Sequence, residues 1–270
     1  MILESNILKV KAGWILLFFM LQFSGFSQFP YELKSKIDYS LIGAGAITLT
    51  AGQVISNNVS PLTIQEINGL NANNVNTFDR NAVFNYSESL NNVSEGVLLG
   101  TGIASLSLLA NKEIRKEWVA MGVMGVEVLM LNYGIAATVK GAVLRTRPYA
   151  YNPEVSLERK QDIDARFSLY SQSTSATSAI SFFAAKTFND THPNSKWKPV
   201  VWTGAFVLPA ITGWAKVQSG EHFTSDVLVG YSVGALIGYF VPVMHLKKKN
   251  EGAQLQFYPQ TNGLAMQLTF

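Results

Sequence analysis

The residues best suited to chemistry lie in "KVQSGEHFTSD", residues 216–226. His222 precedes Asp226 by four positions, and the chain has only 3 histidines in 270 residues. An imidazole beside a carboxylate can serve as a nucleophile, because the carboxylate fixes the tautomer of the ring. The simpler interpretation is a polar loop in which Ser225 and Asp226 cap the next helix.

Two further stretches carry polar residues at a suggestive spacing. In "KGAVLRTRP", Lys140 lies seven positions before Arg147, and Pro148 follows. In "SLYSQSTS", hydroxyl residues surround Ser171 and Ser173. Taken singly, the first stretch fits a helix end with basic residues and a proline stop, and the second fits ordinary N-capping.

Five helices are predicted from the apolar runs, at 95–111, 117–140, 172–187, 197–216 and 226–246. All but the third carry enough apolar residues to cross a bilayer. The third is polar on its early turns, so its neighbours must shield it. We therefore predict an all-α fold, a membrane-embedded bundle of about six helices that ends in a short C-terminal β-hairpin.

The alternation of helix direction brings the three stretches to one end of this bundle. Lys140 and Lys216 end helices, Ser171 begins one, and His222 precedes the last. Guanidinium groups, ammonium groups and helix N-terminal N–H groups are what a phosphate dianion requires. The predicted catalytic residues are His222 and Asp226, and the predicted phosphate-binding residues are Lys140, Arg147, Ser171, Gln172, Ser173 and Lys216. The other histidines, His192 and His245, fall at the opposite end.

With these motifs the sequence resembles the type 2 phosphatidic acid phosphatase superfamily, which also includes class A acid phosphatases and vanadium haloperoxidases. The family pattern K-x6-R-P is complete as Lys140, Arg147 and Pro148, and His222 and Asp226 match the nucleophile and its partner. "FDRNA" and "KWKPVVWTGAFVLPAITG" resemble members from Bacteroidetes-type bacteria. The resemblance covers residues 93–246. It implies hydrolysis through a phosphohistidine at His222, with no metal or cofactor.

The second motif departs from the family pattern P-S-G-H. It reads Tyr170-Ser171-Gln172-Ser173, so Ser173 stands where the family keeps its general-acid histidine. Lys216 replaces an arginine and loses bidentate geometry. Loss of a general acid typically lowers the rate by about 10² to 10⁴. Two functions follow: a hydrolase of a lipid phosphate, a lipid pyrophosphate or another phosphomonoester, or a pseudo-phosphatase that binds a phosphorylated lipid or a partner protein.

The composition limits the partners. Hydrophobic residues make up 48% of the chain and charged residues 14%, and the net charge of +3 comes without a basic cluster that would suggest nucleic acid. The expected partners are a membrane and a phosphorylated lipid or small phosphoester. The chain has no cysteine, which excludes disulfides, thiolate zinc sites and cysteine nucleophiles.

The organisation along the chain is predicted in four parts. Residues 1–27 are typical of a signal peptide, with Lys9 and Lys11 before the apolar "AGWILLFFMLQF". An uncleaved anchor is the alternative. An N-terminal helical and loop region, 28–92, precedes the bundle at 93–246. A basic run and a hairpin with an Asn262-Gly263 turn occupy 247–270.

The distribution of cations predicts the orientation. The end of the bundle opposite the site carries many cations: Lys112, Arg115, Lys116, Lys186, Lys196, Lys198 and the run 247–249. The site end carries cations as well, and the positive-inside rule places the far end in the cytoplasm. The site then faces the periplasm of a bacterial envelope; a soluble periplasmic domain is the alternative. If the signal is cleaved, the weakly apolar segment 39–57 is expected to pack on the bundle without crossing.

Overall fold

The bundle is built from long helices joined by short helical turns. The computed structural model describes residues 29–247 and the backbone of two strands beyond them. The helices are α1 (Ser35–Ser56), α2 (Ile64–Gly69), α3 (Glu88–Ser105), α4 (Lys112–Lys116), α5 (Trp118–Val143), α6 (Leu157–Lys160), α7 (Gln172–Thr191), α8 (Lys198–Gln218) and α9 (Thr224–His245). Single 3-10 turns lie at Ala72–Asn74, Arg80–Phe84, Leu106–Ala110, Pro148–Tyr151 and Ile163–Arg166. The prediction of an all-helical bundle is confirmed.

Beyond the helices, the structure describes two strands near the C-terminus. Strands β1 (Gln254–Gln260) and β2 (Gly263–Thr269) pair antiparallel where the hairpin was predicted. The predicted signal peptide, 1–27, and most of the basic run after Lys247 lie outside the described residues.

Five helical segments are long and apolar enough to cross a membrane: Ser35–Ser56, Glu88–Ala110, Trp118–Tyr151, Lys198–Gln218 and Thr224–His245. α7 is not among them, and it is instead enclosed by protein, with 14 of its 20 residues buried. Its hydroxyls bond to the surrounding helices: Ser175 Oγ lies 2.5 Å from Asn132 Oδ1, and Ser178 Oγ lies 2.9 Å from the carbonyl oxygen of Tyr231. The predicted shielding of this helix is confirmed.

Glycines allow α9 to lie directly on the backbone of α7. Gly230, Gly234 and Gly238 recur every four residues and form one face of α9. A Cβ atom on Gly234 would lie 2.1 Å from the carbonyl oxygen of Ser175, so no side chain fits there. The two helices run parallel and both begin at the same end, here called the site end.

α1 runs the length of α5, also in parallel. Gly45 packs on Met130 at the middle of α5 and Gly52 packs on Ala137 nearer the site end, and an added Cβ would lie 2.8 Å and 2.5 Å from the nearest atoms. The segment 39–57 thus packs on the bundle, as expected, and the length and composition of α1 also make it one of the five candidate spans. The glycines and threonines that lower its hydropathy serve this helix packing.

Candidate active site

A cavity of about 510 Å³ opens at the site end of the bundle. Six of the eight predicted site residues line it: Lys140, Arg147, Gln172, Ser173, Lys216 and His222. The other two, Ser171 and Asp226, are fully buried. The end of α5, the start of α7 and the loop between α8 and α9 bring these residues together, as helix alternation predicted.

His222 presents one ring nitrogen toward the cavity. Its Nδ1 lies 2.7 Å from the carbonyl oxygen of Ser168, which can only accept, so Nδ1 carries the proton. Nε2 therefore has the lone pair, and it lies 3.3 Å from Nη1 of Arg147. Burial, and then the charge of Arg147, lower the pKa of His222 from 6.5 to about 3. The imidazole is neutral at neutral pH, as a nucleophile must be.

Asp226 does not act on His222 in the predicted way. Its Oδ2 lies 3.8 Å from Nδ1 of His222, too far for a hydrogen bond, so the carbonyl of Ser168 fixes the tautomer. Asp226 instead accepts from Ser168 Oγ at 2.5 Å and from the Phe223 amide at 3.0 Å. It thus holds the two segments on either side of the imidazole and is a positioning residue.

Arg145 ties this arrangement to the N-terminal half of the chain. Its guanidinium lies 2.5 Å from Asp226 Oδ1 and 2.8 Å from Asp79 Oδ2. Asp79 in turn accepts from the Ser225 amide at 2.9 Å. Both carboxylates are buried, so Arg145 provides the charge that balances them.

Replacement of Arg145 should destabilise the fold. In Arg145→Met, two buried carboxylates lose their cation, and we expect about 3 kcal/mol less unfolding free energy, the usual effect of breaking a buried pair. Arg166→Met is the matched control, because Arg166 pairs with the exposed Glu66 and should change stability little. Unfolding of the two variants in detergent measures the difference. Equal stabilities would contradict this role of Arg145.

The cations of the cavity are paired with carboxylates or carbonyls. Arg147 contacts Glu221 Oε2 at 2.7 Å and Asp164 Oδ1 at 2.8 Å. Lys140 Nζ donates to the carbonyl oxygen of Phe167 at 2.5 Å. Arg159 reaches the other oxygen of Glu221 at 3.0 Å. These bonds fix Arg147 and Lys140 beside His222, so the positive charge of the cavity is organised before a ligand binds.

Glu95, on α3, contacts both Ser173 of the second motif and Lys216 of the stretch 216–226. Its Oε1 lies 2.6 Å from Lys216 Nζ and 2.8 Å from Ser173 Oγ. Lys216 also donates to Asn91 at 2.6 Å. The Glu95 side chain is 49% exposed and lines the cavity. A carboxyl group therefore stands beside the serine that replaces the expected histidine.

Ser171 lies in the wall behind the cavity. Its Oγ is 2.8 Å from Thr174 Oγ1, and its amide donates to the carbonyl oxygen of Asp226 at 3.1 Å. The Ser171 side chain, which was predicted to bind phosphate, is not part of the cavity lining. Ser171 joins the start of α7 to the start of α9. At the start of α7, only Gln172 and Ser173 line the cavity and are placed to contact a phosphate.

Sequence reasoning missed several residues of the site. Arg145 and Glu221 lie within the quoted motifs, two positions before Arg147 and one before His222, and their proximity could have identified them. Glu95, Asp79 and Ser168 come from other segments, and no pattern in the sequence marks them.

Residues 122–250 match the model of the PAP2 superfamily. The chain belongs to the PAP2 superfamily. Among solved structures, the chain is similar to the crystal structure of a transmembrane PAP2-type phosphatidylglycerolphosphate phosphatase from Bacillus subtilis, with 21% sequence identity and a TM-score of 0.46, over 76% of this chain and 96% of that one. A search of curated proteins gave no match.

Proposed function

We propose that this protein is a membrane-embedded phosphatase that removes phosphate from a lipid phosphate or lipid pyrophosphate through a phosphohistidine at His222. The observation that carries this is the neutral imidazole, whose Nε2 faces a cationic cavity 3.3 Å from Arg147. Superfamily membership supports the same chemistry.

The reaction has two displacements at phosphorus. Nε2 of His222 attacks, a P–N bond forms, and the P–O bond to the leaving group breaks with a proton delivered to its oxygen. Water then attacks, the P–N bond breaks, and inorganic phosphate leaves. Lys140, Arg147 and Lys216 offset the charge on the phosphoryl oxygens, which is the main contribution a protein makes to phosphoryl transfer.

Glu95 is the proposed source of the leaving-group proton. It touches Ser173 at 2.8 Å, the position where the family places its acid. Lys216 pairs with Glu95 at 2.6 Å. A bound phosphate dianion competes with Glu95 for that ammonium, and Glu95 has to take up a proton with the substrate to act as the acid. After the first step, the carboxylate can take a proton from the attacking water.

A lipid substrate fits the shape of the cavity. The lining extends along α5 from Lys140 to Tyr133, seven residues or about 10 Å. Leu98 and Ala137 add apolar surface on either side. α3 packs against α7 and α8, and α1 packs against α5, so the groove lies between α3 and α5. A phosphate head at the cations would place its chain along this groove.

The proposed orientation rests on charge. The far end carries Lys112, Arg115, Lys116, Lys196 and Lys198 in its described loops and helix ends. The site end also carries arginines, and those that pair with a carboxylate are Arg145, Arg147, Arg159 and Arg166. By the positive-inside rule, the far-end cations support a far end in the cytoplasm and a site toward the periplasm. Five helical segments of membrane length favour the embedded form over a soluble periplasmic domain.

A substrate panel with matched variants tests the proposal. Purified protein should release phosphate faster from a lipid phosphate than from glycerol phosphate. Leu98→Gln should lower kcat/KM for the lipid by about tenfold, the effect of losing one or two buried methylenes, and leave nitrophenyl phosphate unchanged. Leu99→Gln, on the outer face of α3 at 66% exposed, is the control.

The same substrate panel distinguishes the lipid phosphatase from a pseudo-phosphatase that binds phosphate without turnover. Equal rates on lipid and soluble esters would contradict the lipid assignment. Binding of phosphate or vanadate without release from any ester would favour the pseudo-phosphatase, for which the loss of the family's acid histidine at Ser173 is the supporting observation.

A further inference from the structure

A second cluster of ionisable side chains lies at the far end of the bundle, away from the active site. Asp38 is in the first turn of α1, Glu127 is on α5, and His245 is the last residue of α9. One donor atom from each lies within 4.8 Å of the other two. Three helices from separate parts of the chain thus converge on one point.

The contacts of His245 indicate which ring nitrogen carries the proton and which faces the two carboxylates. Its Nδ1 lies 2.8 Å from the carbonyl oxygen of Val241, so Nδ1 carries the proton. Nε2 then directs its lone pair at Asp38 Oδ1, 2.8 Å away, and at Glu127 Oε2, 3.4 Å away. Nε2 at these distances from two carboxylate oxygens requires either a shared proton or a metal cation between them.

Glu127 is the member of the cluster whose burial costs the most free energy. Its side chain is 0% exposed, and neither carboxylate oxygen has a hydrogen-bond partner among the residues the structure describes. A buried carboxylate without a partner costs several kcal/mol. Glu127 is thus a fully buried carboxylate aimed at His245 without a hydrogen bond of its own to any described residue, with Oε2 3.4 Å from Nε2.

We propose that Asp38, Glu127 and His245 bind a divalent transition-metal ion of the zinc class. Bonds of about 2.0 to 2.2 Å in a tetrahedral site place neighbouring donors about 3.3 to 3.6 Å apart. Glu127 Oε2 has this spacing from His245 Nε2, at 3.4 Å, and Asp38 Oδ1, at 2.8 Å, has to move outward by about 0.5 Å to ligate the same ion. One imidazole with two carboxylates suits zinc better than magnesium or calcium.

The surroundings of His245 match those of a metal ligand. A ligating histidine usually donates its second ring N–H to a carbonyl or carboxylate, as His245 does to Val241. The backbone secures the same corner, because the Glu32 amide donates to the carbonyl oxygen of His245 at 2.9 Å. A bound ion would clamp α1 to α5 and α9. This proposal does not depend on the phosphatase function.

Metal analysis of the purified full chain is the test. After equilibration with micromolar zinc and desalting, we expect about one zinc per chain and a melting temperature that falls when a chelator removes the ion. Glu127→Gln and Asp38→Asn should each reduce retained zinc more than tenfold, since even changes around a ligand lower metal affinity by about 10 to 100-fold.

His192→Gln is the matched control. His192 is also a buried histidine at the far end, but its ring contacts Asn111 and Thr191 and no carboxylate of the cluster. Its replacement should leave zinc retention unchanged. A wild-type chain that retains no zinc and shows no melting shift would overturn the proposal and assign the cluster a shared proton. Equal zinc in wild type and Glu127→Gln would overturn it as well.

Discussion

Replacement of His222 by alanine is expected to lower phosphate release by at least about 10⁴-fold, the scale on which a lost nucleophile acts. Nε2 is the atom proposed to bond to phosphorus, and no other described histidine reaches the cavity: His192 and His245 lie at the far end. Single-turnover phosphate release in detergent measures the effect. His192→Ala is the control and should retain activity.

A second variant guards against a folding artefact. His222→Gln offers an amide that can still donate to the Ser168 carbonyl, which His222 contacts at 2.7 Å. It should remain folded, bind vanadate at the cations, and lack turnover. Undiminished activity in both His222 variants would refute the phosphohistidine mechanism.

Glu95→Gln is expected to slow hydrolysis of alkyl phosphates by about 10² to 10⁴, the usual value of general acid catalysis. Nitrophenyl phosphate should be slowed far less, because its leaving group departs without a proton. The ratio of the two kcat values is the measurement, since a general loss of structure would lower both. Glu88→Gln, two turns earlier on α3, is the control.

Ser173→His should rescue the Glu95→Gln variant. The new imidazole would stand in the family's position, and Gln172→Gly can be added so that the backbone approaches the phosphate. Restored alkyl phosphate hydrolysis, with little change for nitrophenyl phosphate, would assign proton donation to this corner of the cavity. If Glu95→Gln slows both substrates equally, Glu95 is not the acid.

The sequence was sufficient for the bundle and for the location of the site because both follow from long apolar runs and from motif spacing. Alternating helix directions placed Arg147 and His222 at one end, and the structure separates Nη1 from Nε2 by 3.3 Å. A charge-poor helix of membrane length has few other arrangements available.

The rest depended on contacts that no local pattern records. Glu95 lies 121 positions before Lys216, yet their charged atoms are 2.6 Å apart. The carbonyl that orients His222 belongs to Ser168, and any residue type could supply it. The alignment of α1 along α5 was not predicted. Glycines such as Gly52 let two helices approach closely, but they also reduce the hydropathy of the segment.

The polar character of α7 has a consequence for how the chain enters a membrane during synthesis. A translocon selects segments one at a time by their partition into lipid, and α7 emerges without the apolarity to be retained alone. Its glycine-lined partner, α9, is synthesised last. Until Gly234 packs on the carbonyl of Ser175, the polar early turns of α7 stay in contact with water or with a chaperone. The active site can thus be completed only after the ribosome has finished the final helix.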